Sequence, residues 1–155
     1  MTTTHQITRL LEFYPSLAAL PAATIQAELA ERTAWAEVPI ATTLFDEQAP
    51  CRGFPLLLAG EVRVARGSSQ GRSLELYRVT PGELCVVSTA CLFGHRTPSA
   101  HGVTTLPTTL AVLSPAAFEA LSGYEPFRRF VFGIFADRLG DLMALAEAVA
   151  FQRLD

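Results

Sequence analysis

The chain has 155 residues, half of them hydrophobic, with ten Gly and ten Pro, enough for one compact domain with a core and too little for two. Its formal charge is −3 and its pI about 5.6, whereas a surface that grips nucleic acid needs a surplus of basic side chains on one face. Alone it is not expected to bind DNA. No run of roughly 18 uncharged apolar residues occurs, and the N-terminus lacks the basic and apolar regions of a secretory signal. The sequence therefore reads as cytoplasmic, with no membrane partner.

"ITRLLEFY" and "AATIQAELAERT" space apolar residues three and four apart on either side of "PSLAALP", predicting two short helices. From Trp35 to Ser114 the pattern changes to short strands: "AWAEVPI", "TTLF", "FPLLLAG", "EVRVAR", "SLELYRV", "ELCVV", "HGVTTL" and "TTLAVLS". About eight such pieces suggest a barrel or roll. "GSSQGRS" is a hairpin loop and "TPGE" at 80–83 a type II turn, so the strands are expected in antiparallel order. Ser114 and Pro115 form an N-cap and first-turn pair for a short helix that Gly123 closes. The rest is one long helix, with Phe127, Val131, Ile134, Leu142, Leu145 and Val149 along one stripe. About thirty residues at ~1.5 Å each make a rod of roughly 45 Å. A stripe that outruns its own domain needs a partner, and an identical helix about a twofold axis is the simplest.

The expected fold is mainly β with flanking helices: an antiparallel double-stranded β-roll, jelly-roll or cupin-like, followed by a long C-terminal dimerisation helix. The roll with its N-terminal helices takes 1–124 and the helix 125–155. This order, with "LLLAGEVRV", "LELYRVTPGE" and "FRRFVFGIFADRLGDLMALAEAVAFQRLD", resembles the sensor half of the Crp/Fnr family of bacterial transcription regulators. The resemblance implies a homodimeric effector-sensing domain, not an enzyme. It also implies DNA binding only through a C-terminal helix-turn-helix domain that this chain does not contain, so the sequence reads as a truncated regulator.

The same resemblance marks "GELCVVSTACLFGHRTPSAHG", residues 82–102, as the effector cassette. In cyclic-nucleotide-binding relatives a short helix offers backbone N–H groups to the phosphate. An Arg followed by Ser or Thr pairs with the same anion, and a Glu accepts a ribose hydroxyl. Here "STACLFG" is the expected turn helix, capped by Ser88 or Thr89. Glu83 matches the acid of the preceding turn, and no Asp or Glu follows it until Glu119. Pro98 falls where the family Arg would, followed by Ser99; a two-residue shift puts Arg96 and Thr97 in its place. Cyclic nucleotide is therefore not the expected effector.

Other effectors remain open. Iron–sulfur ligation takes about four thiolates, but the first cysteine is Cys51. The haem-sensing branch would carry a His ligand near Ser88, leaving His95 and His101 as candidates. Cys91 and His95 are four apart, so one helical turn would place both on one face, as a soft metal site prefers. Cys85 precedes that turn, and Cys51 lies just before the strand at 54–60. The three cysteines are also of the kind that pack as small hydrophobes. Leu84, Val86, Leu92 and Phe93 line either a small-ligand pocket inside the roll or plain core. The effector is thus a small molecule of unknown identity or a redox change, with cyclic nucleotide, haem and metal as named alternatives. A cupin-like metal enzyme is the rival class, but the strand region carries only His95 and His101, without the close His pair and Glu that such metal chemistry needs.

Overall fold

The computed structural model describes residues 4–154. Three helical pieces come first: α1 (Thr4–Phe13), the single turn α2 (Pro15–Ala18), and α3 (Ala22–Thr24), which runs on as a π-helix over Ile25–Glu31. Seven strands follow among the described residues: β1 (Thr33–Val38), β2 (Thr43–Phe45), β3 (Phe54–Ala59), β4 (Val62–Gly67), β5 (Ser73–Val79), β6 (His101–Thr104) and β7 (Thr108–Leu113). Helix α4 (Val86–Gly94) lies between β5 and β6, and α5 (Pro115–Ser122) and α6 (Glu125–Leu154) complete the chain. No helix among the described residues is long and apolar enough to cross a membrane.

The strands form two antiparallel sheets, β1-β7-β3 and β2-β6-β4-β5, the expected roll. The apolar run "FPLLLA" is explained by β3, buried on both faces. Alternate residues of a strand point to opposite sides: Leu57 enters the cluster of Val62, Val64 and Val79 inside the roll. Phe54, Leu56 and Leu58 instead join the helical layer with Leu10, Tyr14, Leu29, Phe118 and Phe127. The turn from β3 to β4 needs Gly60, whose φ is +96°; a Cβ there would stand 2.3 Å from the Thr108 hydroxyl oxygen and 2.6 Å from the Pro107 carbonyl oxygen.

Two expectations change. "ELCVV" forms no strand, because the chain leaves the sheet after Val79 and Val86 already begins α4. "PSLAALP" is not a plain linker, because Pro15 occupies the first turn of α2, where its missing N–H is not needed. The turn at 80–83 and the start of α5 follow the sequence reading. Gly82 has φ +90° and the Glu83 N–H donates to the Thr80 carbonyl at 3.0 Å. The Ser114 hydroxyl accepts from the Ala117 N–H at 3.1 Å.

Candidate effector site

The cassette is built around the N-terminus of α4, where backbone donors lack helical partners. Neither Ser88 nor Thr89 caps it; the cap is Cys85. The Cys85 sulfur accepts from the Ser88 N–H at 3.5 Å and the Ser88 hydroxyl at 3.2 Å. The Val87 N–H donates to the Tyr77 hydroxyl at 3.0 Å, and the Tyr77 hydroxyl and Cys85 sulfur lie 3.6 Å apart. Thr89 sends both its N–H, at 3.1 Å, and its hydroxyl, at 2.9 Å, to the Cys85 carbonyl. Ser88 and Thr89 are each 2% exposed, so both residues expected as caps are turned inward. The first turn is closed by the protein's own groups.

Glu83 is committed as well. One carboxylate oxygen accepts from the Thr80 N–H and hydroxyl, and its backbone carbonyl accepts from the Tyr14 hydroxyl at 2.9 Å. That same hydroxyl accepts from the Leu57 N–H at 2.9 Å, tying the N-terminal helices, the roll and the cassette turn at one buried atom. Burial pushes the Tyr14 and Tyr77 phenols well above their ordinary range, so both stay protonated hydrogen-bonding groups.

Helix α4 sits between two apolar clusters. Val87 and Cys91 face the roll interior with Cys85 and Ala100, while Leu84 and Leu92 belong to the helical layer that includes Phe127 and Val131 of α6. Of Leu84, Val86, Leu92 and Phe93, open between pocket and core, Leu84 packs as core in the helical layer, while Leu92 and Phe93 border a cavity at the far end of α4. Arg138 of α6 lies 4.7 Å over the Tyr77 ring and 4.0 Å from the second Glu83 oxygen. Tyr14, Tyr77 and Arg138 carry no local sequence signal, because each meets the cassette across a gap in the chain.

A cavity of about 450 Å³ opens on the other end of α4, outside the roll, lined by Cys51, Cys91, Phe93, Arg96, Phe118 and Glu119 among others. Arg96, Thr97 and Ser99 are exposed and Pro98 is buried, so Arg96 and Thr97 face this cavity and not the α4 N-terminus. His95 ends α4 in the left-handed conformation, φ 50°, and is exposed. The helix stops one residue too early for Cys91 and His95 to share its face, although both border the cavity. His101 meets the Glu47 carboxylate at 3.3 Å on β6. Among the described residues no three His, Cys, Asp or Glu side chains gather as metal ligands do. Cys85 is 1% and Cys91 4% exposed; burial raises both thiols, Cys91 to about 11.

The long-helix stripe divides. Phe127 and Val131, 1% and 2% exposed, are spent in the chain's own core, and Ile134 packs against it. Leu142, Leu145 and Val149 are 62%, 62% and 47% exposed. The first turns of α6 anchor it to the domain, and the apolar remainder projects beyond it.

Residues 36–123 match the family model described as the cyclic nucleotide-binding domain. No curated protein matches the chain. Among solved structures, a protein assigned to the crp/fnr family of transcriptional regulators from Eubacterium rectale superposes with TM-score 0.77 at 20% identity, over 90% of this chain and 65% of that one. DNR from Pseudomonas aeruginosa gives 0.70 at 18%, over 96% and 65%. The N-terminal domain of a transcriptional regulator from Streptomyces coelicolor gives 0.60 at 25%, over 86% and 94%. The chain thus spans 65% of the length of the first two. With a family match over more than half of its residues and the fold of these regulators, the chain belongs to the cyclic nucleotide-binding domain family.

Proposed function

We propose that the chain is the effector-sensing and dimerising part of a Crp/Fnr-type transcription regulator, and that its effector is not a cyclic nucleotide. The observation that carries this reading is the closed first turn of α4. A cyclic phosphate would have to displace the Tyr77 hydroxyl from Val87 and the Cys85 sulfur from Ser88. It would gain no arginine there, since Pro98 occupies that place and Arg96 faces the outer cavity. It would also meet no ribose carboxylate, with Glu83 held in its own turn. The cassette residues do not fit the ligand for which the family is named.

A route from cassette to α6 supports the sensor reading. Tyr77 holds the start of α4 and carries Arg138 on its ring, so a shift of α4 changes a contact that positions α6. Such a shift is a signal only if an effector prefers one arrangement of the two helices. The exposed seam of Leu142, Leu145, Ala146, Val149 and Arg153, at spacings of three and four, is the surface for a second copy's α6. DNA contacts belong to the regulator's remaining part. Calorimetric titration with cAMP and with cGMP tests the effector reading. No saturable heat up to about 1 mM ligand is expected, and a dissociation constant in the micromolar range overturns it.

A further inference from the structure

The cavity outside the roll holds two thiols that the closure of the cassette does not use. We propose that Cys51 and Cys91 form a dithiol site, which a small disulfide entering this cavity oxidises to a Cys51–Cys91 disulfide. As a signal this rests on the sensor reading; as chemistry it does not. Cys51 and Cys91 come from distant parts of the chain, yet both line the cavity, and Cys51 packs against the apolar cluster that holds Cys91. Cys51 lies in the irregular loop between β2 and β3, half-buried, with its thiol donating to the Gly53 carbonyl at 3.6 Å. Cys91 stands on α4 beneath it, 4% exposed. Cys85 is 1% exposed and engaged as the α4 cap, so it takes no part.

The cavity suits this class of oxidant. Its volume of about 450 Å³ is of the size that admits a small organic molecule. Its wall carries a cation, Arg96, with no ion pair among the described residues, and an acid, Glu119. Those groups match the carboxylate and ammonium ends of an amino-acid disulfide, which hydrogen peroxide does not have. The more accessible Cys51 attacks as thiolate. A bond forms between its sulfur and one sulfur of RSSR, the RS–SR bond breaks, and RS⁻ leaves and takes up a proton. Cys91, giving up its proton, then attacks the Cys51 sulfur and expels the second RS⁻, which is protonated in turn. In sum, RSSR and two protein thiols become one protein disulfide and two RSH. Reaching an S–S length of about 2.05 Å requires the 46–53 loop, free of regular structure, to draw in against α4. The cavity wall includes Phe93 and Phe118, whose rings meet at 5.0 Å, and Phe118 in turn meets Phe127 of α6 at 5.6 Å. Closure of the loop therefore presses on side chains that seat α6.

The test incubates the reduced protein with L-cystine and reads intact mass and peptide maps. Expected are the loss of two hydrogens, a Cys51–Cys91 link and a free Cys85. In Cys91→Ser a cysteine adduct should accumulate on Cys51, and Cys51→Ser should react on the order of tenfold more slowly than the native chain. Native protein with limiting iodoacetamide, which needs no variant, should be labelled first at Cys51. A link to Cys85, an unmodified Cys51 in Cys91→Ser, first labelling at Cys85, or an undiminished rate in Cys51→Ser overturns the proposal. A crosslink in a protein that also binds cAMP would uphold the dithiol site and overturn the effector reading alone.

Discussion

Two tyrosine hydroxyls hold the cassette, the buried Tyr14 at the Glu83 turn and the half-buried Tyr77 at the start of α4. Tyr14→Phe removes a donor to Glu83 and leaves the Leu57 N–H without its acceptor at a buried site. A loss of about 1–3 kcal/mol in urea unfolding is expected; a change below about 0.5 kcal/mol would mean that water replaces the hydroxyl. Alkaline pH should act on the same region. The folded state holds the Cys91 proton more tightly than the unfolded chain, its thiol moving from the ordinary 9.0 to about 11. A raised pKa contributes stability that is complete below the unfolded value and lost as pH rises through the folded one. The urea midpoint of reduced protein should therefore be level below about pH 8.5 and fall as the pH approaches 11. Cys85, Tyr14 and Tyr77 shift in the same direction, so Cys91→Ala should flatten the decline without abolishing it. A midpoint that rises over this range would contradict the sign.

At the scale of elements, Gly60 is the turn residue whose replacement the fold should resist most. Gly60→Ala meets both a positive φ and the Thr108 hydroxyl oxygen. A cost of roughly 1–3 kcal/mol is expected, with the same unfolding measurement as its check. Elements with a local cause were legible in the sequence. Ser114-Pro115 sets the start of α5 through one hydroxyl and one imino ring, and Gly82 sets its turn through its own φ. "ELCVV" misled because β-branched valines at a helix start look the same as a strand when read by propensity. What decides there is the Tyr77 hydroxyl beneath Val87, ten residues upstream in the chain. The same holds for the cap. Cysteine is not a usual N-cap residue, and nothing near Cys85 in the sequence distinguishes it from Ser88 or Thr89. A turn helix between β5 and β6 was readable and the closure of its first turn was not, since closure depends on Tyr14, Tyr77 and Arg138 arriving from other elements.

For the whole molecule, α6 joins two kinds of packing. Its first part, with Phe127 and Val131, completes the domain core, and its last part leaves Leu142, Leu145 and Val149 exposed. The periodicity that placed all of these on one stripe does not reveal where a domain ends along a helix, because own-core and partner contacts use the same spacing. Light scattering should give a dimer for the chain. Leu145→Glu with Val149→Glu should give a monomer whose circular dichroism in the strand region is unchanged, since neither residue touches the roll core. A monomeric native chain at about 100 μM would remove the α6 seam as an interface. In the proposed reading the first turn of α4 is sealed by the chain's own side chains, Tyr77 on Val87 and Cys85 on Ser88. Amide resonances of Val87, Ser88 and Thr89, followed by nitrogen-15 NMR during addition of cAMP, test it at the atoms concerned. All three are expected to stay in place up to about 1 mM nucleotide; saturable movement of these amides would contradict a sealed first turn.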